Sequence, residues 1–276
     1  QQPIIDTEHY RRVQDGLKYV AWRNNTFSLH VHVGVNDIDR AVKVSDRLRP
    51  VLPLLLALSA NSPFLEGRDS GLHSVRSQIF TKSFPRCGIP DPYGSWSNWR
   101  DYLKFLIDTR SVVEFTQVWW SVRPHLSFGT VEVRICDAQS TAEESDALAG
   151  LIAACVAQAA REVDEGVPFD APSRELIEEN FWRAIRYGLD GELIDLERRE
   201  LYPAASIAER LLAWTAPVRA ELGIEPMFAD RNGAQRQRAN LIERGAYELP
   251  SHEQLAATFK ATTAETQDTY SKEIAV

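Results

Sequence analysis

Two histidines on one predicted strand are the first residues in the chain that could do chemistry. His30 and His32 lie in the segment Ser28–Val35, where polar and apolar residues alternate. Successive side chains of a strand point to opposite faces. One face would therefore carry both imidazoles, and Gly34 would leave room for a ligand to approach the backbone. Paired imidazoles suit a metal ion or a phosphate. A half-exposed strand whose histidines only face water would give the same pattern.

A second segment, Thr130–Cys136, alternates in the same way and places a carboxylate beside a guanidinium. Glu132 could ligate a hard cation through oxygen. Arg134 could hold a carboxylate or phosphoryl oxygen with its fork of donors. Cys136 would share this face in a passive role at the end of the strand. The alternative is that the acid and the base form only an ion pair across the face.

A third predicted strand contributes Arg123, which precedes a proline. Arg123 could anchor a surface loop, or it could reach an anion at the mouth of the sheet. If the three strands share one sheet, His30, His32, Glu132 and Arg134 would lie near Arg123. That set could bind a metal-bound polyphosphate together with an acidic substrate.

The polar loop Asn61–Gly71 is the fourth candidate segment. Long ordered loops often carry functional residues, and Asn61 and Arg68 are the substrate-binding candidates here. The loop could also be a solvated turn in which Asp69 pairs with Arg68.

Hydrophobic periodicity and capping residues predict the elements that position these side chains. A helix is predicted from Asn36 or Asp37 to about Ser59, with an interruption near Pro50 and Pro53. Strands are predicted in the first half and mainly helices in the second. The other predicted elements are helices at Thr7–Asn24, Trp96–Ile107, Thr141–Val163, Ser173–Tyr187 and from about Pro203, and strands at Thr26–Val35, Thr116–Arg123 and Thr130–Cys136.

Composition narrows the class of protein. The 276 residues carry a formal net charge of -8, which argues against nonspecific binding to nucleic acid. The three cysteines form no C-x-x-C pair, so neither a disulfide framework nor a zinc knuckle is predicted. The longest apolar run, Val51–Ala60, is too short to span a bilayer, and the N-terminus does not look like a signal peptide. These features predict a cytoplasmic protein that does not bind membranes. The absence of an initiator Met predicts a chain that is processed, split or truncated at its start.

Several motifs in order resemble the bacterial type 2 glutamate–cysteine ligases, also called carboxylate–amine ligases. The motifs are His-Val-His-Val-Gly-Val, Leu-Ser-Ala-Asn-Ser-Pro-Phe-Leu-Glu-Gly-Arg-Asp-Ser-Gly, Trp-Trp-Ser-Val-Arg-Pro and Gly-Thr-Val-Glu-Val-Arg-Ile-Cys-Asp-Ala-Gln. The likeness covers Leu29–Gln139 and continues more weakly at Glu178–Ala184 and Gly191–Asp195. It implies an α+β fold with a glutamine-synthetase-like, curved, mostly antiparallel sheet and helices packed outside. Residues 1–276 would form a single catalytic domain, with 251–276 as a loosely attached helical tail.

The resemblance also implies roles for individual residues. His30 and Glu132 would be metal ligands, and His32 would contact ATP. Arg123 would steady the γ-phosphate, and Arg134 would contact the substrate or the transferred phosphoryl group. The implied cofactors are ATP and Mg²⁺, with Mn²⁺ as an alternative.

The implied activity is ATP-dependent formation of a γ-glutamyl amide through an acyl phosphate. The substrates would be glutamate and an amine, which is cysteine in the named family, and the protein would form a homo-oligomer. Relatives begin with a strand carrying a Glu-x-Glu-type cluster, and no such cluster precedes His30. This difference predicts a chain that lacks its N-terminal metal-binding strand or receives it from a separate chain.

Two rival functions remain open at the level of the sequence. The first is a non-catalytic or split subunit of such a ligase, which would bind ligands without turnover. The second is a metal-dependent hydrolase that uses His30 and His32. The hydrolase would need further His or Asp ligands, and His73 and His125 lie in predicted loops without the required spacing.

Overall fold

The computed structural model of the protein describes residues 4–23, 26–244 and 251–274. Helices and short strands alternate along the chain. The helices in these ranges are α1 (Glu8–Leu17), α2 (Ile38–Leu48), α3 (Leu52–Ser59), α4 (Val75–Ser83), α5 (Trp96–Asp108), α6 (Ala142–Asp164), α7 (Arg174–Tyr187), α8 (Ala204–Leu222), α9 (Gly233–Glu243) and α10 (His252–Ile274). The strands are β1 (Val31–Gly34), β2 (Phe64–Leu65), β3 (Arg68–Asp69), β4 (Cys87–Gly88), β5 (Trp119–Trp120), β6 (Val122–His125), β7 (Thr130–Val133), β8 (Glu192–Asp195) and β9 (Glu200–Pro203).

The sheet that carries the polar residues is antiparallel, in the order β1-β7-β6. Its register places His32 of β1 and Arg123 of β6 on either side of Glu132 in the central strand β7. Gly129, with a φ of 63°, closes the hairpin between β6 and β7 in a conformation that favours glycine. The prediction that the three motif-bearing strands share one sheet is confirmed.

The two faces of this sheet differ as the alternation predicts. Val131 and Val133 are buried in the main core, and Val31 and Val33 pack against the same core. Helices α2, α3, α6 and α7 supply the other side of this core. The remaining strand pairs are short, and only β4–β5 is parallel. This mixture of helices with small, mostly antiparallel sheets is compatible with the α+β class.

The predicted interruption of the second helix is confirmed. Asp37 caps α2 by accepting a hydrogen bond from the backbone N–H of Arg40, at 2.9 Å. The chain then passes through a 3₁₀ turn, Arg49–Val51, before α3 begins. Pro50 and Pro53 both occupy first-turn positions, where a missing backbone N–H costs nothing. Helix α3 is apolar all round because it is buried between the sheet and its neighbours.

The N-terminal helix is shorter than its periodicity predicts. Helix α1 ends at Leu17, and Lys18 has a φ of 52°, which an α-helix cannot accommodate. A 3₁₀ segment, Lys18–Arg23, continues the chain. The predicted end of the helix at Asn24 lies outside the described residues.

Helix α10 forms the predicted helical tail. Its start is fixed by two reciprocal hydrogen bonds between Ser251 and Gln254. The helix packs against α6 and α9, with Leu255 and Thr258 buried. The Tyr270 hydroxyl donates to the backbone carbonyl of Thr141 at 3.1 Å. Contacts with the rest of the chain thus lie near both ends of α10.

No helix in the three described ranges combines the length and the apolar character that a membrane crossing requires.

Candidate active site

The polar face of the sheet is organised around one buried carboxylate. The Glu132 side chain is 3% exposed, and its Oε2 accepts a hydrogen bond from Arg123 Nε at 2.7 Å. Its Oε1 accepts from Nη1 of Arg134. Burial alone would raise the pKa of the Glu132 carboxyl, but the charges of Arg134 and Arg123 outweigh it and lower the pKa to about 2. Glu132 is therefore an anion held between two cations.

His30, just before β1, and His32, within it, both lie close to the same carboxylate oxygen. His30 Nδ1 lies 3.6 Å and His32 Nε2 lies 3.5 Å from Glu132 Oε1. The two side chains are 34% and 31% exposed, so their rings line the open side of the sheet. Ser28 Oγ lies 2.9 Å from His30 Nε2, and Thr130 Oγ1 lies 2.9 Å from His32 Nδ1. A residue just before β1 and a residue of β7 thus orient the two rings.

His30 is neutral at physiological pH. Burial, followed by the charge of Arg134, lowers the pKa of the His30 imidazole to about 3. A neutral ring offers a lone pair, which is the form that binds metals. The ring is thus ready to accept an electrophile without first losing a proton.

Arg123 anchors a loop in addition to pairing with Glu132. Its side chain is buried, and Nη1 donates to the backbone carbonyls of Thr116, at 3.1 Å, and Val118. Desolvation, opposed mainly by the charge of Glu132, lowers the pKa of its guanidinium. The contacts match the loop-anchoring alternative for Arg123, and a contact with a bound anion stays a prediction. Its guanidinium ties the segment before β5 to the centre of the site.

Arg134 faces the open side of the cluster. Its Nη1 lies 3.4 Å from His30 Nδ1, and its Nε is buried without a hydrogen-bond partner among residues 4–23, 26–244 and 251–274. A buried donor without a partner costs free energy unless a ligand or water satisfies it. Arg134 therefore has donor capacity left for an anionic group.

Arg76 is a residue of this region that the sequence analysis missed. It lies in the first turn of α4, is buried, and donates to the backbone carbonyls of Arg134, at 3.2 Å, and Ile135, at 2.9 Å. These bonds cap the end of β7 and hold the backbone that carries Arg134. The only signal in the sequence is an arginine immediately after the Ser74-Val75 helix start, which resembles many surface arginines.

A buried carboxylate, Asp137, holds the candidate loop against the sheet. Its Oδ2 accepts from Asn61 N at 2.9 Å and from Ser62 Oγ at 2.7 Å. Its Oδ1 accepts from Ser74 Oγ at 2.9 Å and from Arg76 Nη1 at 3.4 Å. One acid, which follows β7 in the chain, thus holds the start of the loop and the start of α4.

Replacing Asp137 with Asn is expected to lower the free energy of unfolding by about 3 kcal/mol, because the change leaves the buried Arg76 charge without its partner. Urea denaturation measures this loss. Asp101→Asn is the matched control, because Asp101 pairs only with its neighbour Arg100 at the surface; it should stay within about 0.5 kcal/mol of wild type. Equal stability of the two variants would show that Asp137 does not hold the loop.

The two candidate substrate-binding residues of the loop lie apart from the Glu132 cluster. The Asn61 amide is occupied by protein groups: Nδ2 donates to Ala138 O at 2.7 Å, and Oδ1 accepts from Gln237 at 2.6 Å. Arg68 lies in the β2–β3 hairpin, and the neighbouring Asp69 pairs with Arg238 at 2.7 Å rather than with Arg68. In the part of the chain that the structure describes, neither Asn61 nor Arg68 makes a hydrogen bond or ion pair with the five clustered residues.

Cys136 does not share the polar face with Glu132 and Arg134, contrary to the prediction. Strand β7 ends at Val133, so the alternation stops before Cys136 is reached. Its side chain is fully buried in the main core, and its Sγ lies 3.9 Å from the backbone carbonyl of Leu55. Burial raises the pKa of the Cys136 thiol to about 12, so it is an inert core residue.

The donor set fits one part of a divalent-metal site. His30, His32 and Glu132 converge on one point, but both oxygens of Glu132 already accept from arginines. Within residues 4–23, 26–244 and 251–274, no group of three or more His, Cys, Asp or Glu side chains has the arrangement of a metal site. Mg²⁺ prefers six oxygen ligands and keeps several waters. Phosphate oxygens, water and further carboxylates would have to complete the shell.

The same geometry bears on the hydrolase alternative. The His125 ring packs edge-on against His32, with centroids 5.2 Å apart, and the ring of Phe128 stacks on His125. His73 is buried elsewhere, with its Nε2 3.4 Å from Asp190. Neither histidine extends the donor set as a hydrolytic metal centre requires. The described residues therefore give the hydrolase no support.

A cavity of about 340 Å³ adjoins the cluster. His30 and Arg134 lie on its wall, together with aromatic side chains from α1, α4 and β5. The cluster is thus accessible from a space large enough for a small molecule.

Comparison with known proteins identifies the family. The profile of glutamate-cysteine ligase family 2 (GCS2) matches residues 1–237. A protein from Solibacter usitatus named putative glutamate–cysteine ligase 2 is 42% identical over 252 residues, which cover 89% of this chain and 65% of the relative. A protein of the same name from Sorangium cellulosum is 44% identical over 211 residues, 76% of this chain and 56% of the relative. The chain thus spans less than two thirds of the length of these two relatives. The family match over residues 1–237 shows that the chain belongs to glutamate-cysteine ligase family 2.

Proposed function

We propose that the protein acts as an ATP-dependent carboxylate–amine ligase that forms a γ-glutamyl amide. The observation that carries the proposal is the convergence of His30, His32, Arg123 and Arg134 on the Glu132 carboxylate. A single anion framed by fixed cations and two imidazoles suits the handling of phosphoryl charge. Family membership supports ligation as the type of reaction, and the relatives named above carry glutamate and cysteine in their names.

In the first step, a γ-carboxylate oxygen of glutamate forms a bond to the γ-phosphorus of ATP. The bond from that phosphorus to the bridging oxygen breaks, and ADP leaves with the electron pair. Such a transfer needs alignment and charge neutralisation more than covalent help from the protein. Arg134 would hold an oxygen of the transferred group or of a substrate carboxylate. Arg123 would act mainly by keeping Glu132 in place.

In the second step, the neutral nitrogen of the amine forms a bond to the acyl carbon. The bond from that carbon to the phosphate oxygen breaks, and inorganic phosphate leaves. The proton that the nitrogen loses passes to the departing phosphate or to water. Exclusion of water from this stage protects the acyl phosphate from hydrolysis, and the Asp137-held loop Asn61–Gly71 is our candidate for that function.

A divalent ion, Mg²⁺ or Mn²⁺, is part of the proposal. His30 and Glu132 would hold it, and His32 would face the nucleotide. When bound, the ion would offset the charge of the phosphates. A cytoplasmic location and assembly into a homo-oligomer remain further predictions.

A binding subunit without turnover is the second candidate function. It is favoured by the partial donor set, since His30 and Glu132 supply few of the oxygen ligands that Mg²⁺ requires. If another segment or another chain contributes carboxylates, the ligase is restored. If none does, the protein would bind nucleotide or amino acid without ligating them.

The test is ADP release by the full gene product from ATP and Mg²⁺, with glutamate and a panel of amines added singly and together. The ligase predicts ADP release that requires both amino-acid substrates and stops when EDTA is added. ADP release without an amine would indicate hydrolysis of the acyl phosphate. No ADP under any condition, from protein that binds ATP, would contradict the ligase and favour the binding subunit.

A further inference from the structure

The cavity beside the cluster has a composition that the proposed reaction does not yet explain. It lies between the N-terminal segment, formed by α1 and the 3₁₀ turn that follows, and the end of the sheet where His30 and Arg134 emerge. Its volume of about 340 Å³ suits one small organic molecule. One end of the cavity is therefore polar and lies beside the candidate catalytic residues. The remaining walls determine which molecule fits.

Aromatic rings form two walls of this cavity. On one side, Phe80, Phe84 and Trp119 form a continuous row, with ring centroids 5.1 Å apart for Phe80–Phe84 and 6.3 Å for Phe84–Trp119. Tyr10 and Trp22, from α1 and the 3₁₀ turn, line the cavity as well. Such walls contribute apolar area and favourable ring geometry to a flat apolar guest. A short polar side chain would leave most of this surface without a contact.

The charged groups that line the cavity also restrict which ligands can bind. Arg134 lies on the wall of the cavity and supplies a guanidinium cation. No Asp or Glu is among the described residues that line the cavity. A ligand carboxylate could pair with this guanidinium. A ligand ammonium would find no carboxylate among the described lining residues. The nearby Arg134 cation favours the neutral, nucleophilic form of an amine.

We propose that this cavity binds the amine substrate, and that this substrate is an amino acid with an aromatic side chain. Its carboxylate pairs with Arg134, its ring lies between Trp22 and the Phe84–Trp119 wall, and its nitrogen faces the Glu132 cluster. The inference rests on the proposed ligase function for the identity of the reaction. The proposed substrate differs from cysteine, whose small side chain would contact little of the aromatic walls.

Binding tests the cavity independently of turnover. L-phenylalanine is titrated calorimetrically into the full gene product, with L-alanine and phenethylamine as ligands that lack the ring and the carboxylate. Both analogues should bind at least about tenfold more weakly, because each forfeits one of the two contacts. Trp22→Ala should weaken phenylalanine about tenfold. Trp182→Ala is the matched control, because Trp182 on α7 is 45% exposed, close to the 42% of Trp22, and does not line the cavity.

Turnover then separates the two proposals. With ATP and glutamate present, kcat/KM for phenylalanine should exceed that for cysteine and alanine, and Trp22→Ala should reduce the phenylalanine value through KM. ADP release that prefers cysteine or alanine would overturn the aromatic assignment and leave the ligase intact. If ADP is never released, phenylalanine binding that Trp22→Ala weakens would still support the cavity. Absent phenylalanine binding, or binding that ignores Trp22→Ala, would refute it.

Discussion

Replacing Glu132 with Gln is expected to reduce ligase turnover by about a thousandfold, because one substitution disrupts the contacts of four side chains. The carboxylate accepts from Arg123 and Arg134 and lies within 3.6 Å of both His30 and His32. Glutamine keeps the shape but removes the charge, and its NH₂ group would face an arginine. The arginines would then repel each other across a buried space. ADP release under saturating substrates measures the loss.

The same variant should also lose about 3 kcal/mol of folding free energy, since buried guanidinium charge is left uncompensated. Glu221→Gln is the matched control, because its ion pair with Arg161 is at the surface; such pairs contribute about 0–1 kcal/mol. Urea unfolding compares the two variants. If Glu132→Gln were as stable and as active as Glu221→Gln, Glu132 could not be the centre of the site.

Much of the site was predictable from alternation alone. A period of two across Ser28–Val35 and Thr130–Cys136 places His30, His32, Glu132 and Arg134 on polar faces. The structure confirms that these faces meet, with His32 directly opposite Glu132. Short strands with one apolar face have few other ways to pack, because a one-residue slip would turn that apolar face away from the core. The local sequence pattern thus constrained both the faces to which the side chains point and the register in which the strands pair.

The parts that could not be predicted depend on contacts between distant segments. Arg76 caps the end of β7 from the first turn of α4, and neither segment carries a mark of that pairing. Cys136 left the polar face because the strand ended three residues earlier than the alternation did. Asp69 paired with Arg238, which is far along the chain, instead of with the adjacent Arg68. In each case, contacts between distant segments determined the position or the partner of a side chain that the local sequence did not specify.

The second large effect is expected at Arg134. Arg134→Ala should lower kcat/KM by about 10²–10³-fold, because the cavity loses the guanidinium that lies on its wall beside the Glu132 cluster. Arg134→Lys keeps the charge but not the planar fork, so it should recover only part of the activity. Arg100→Ala, at an exposed arginine that pairs with Asp101, is the control and should retain full activity. Near-normal turnover of Arg134→Ala would contradict the role proposed for it.

Arg134 has two possible functions that a single variant cannot separate, since it both neutralises Glu132 and faces the substrate. A double-mutant cycle with Glu132→Gln resolves them. If Arg134 served only to balance Glu132, then Arg134→Ala would have no further effect on substrate affinity once the carboxylate is gone. If it binds a carboxylate or phosphoryl oxygen directly, calorimetric affinity for the amino-acid substrate should fall by about another tenfold in the Glu132→Gln background. We expect the second result, because the unpartnered Nε of Arg134 has no function in the ion pair with Glu132.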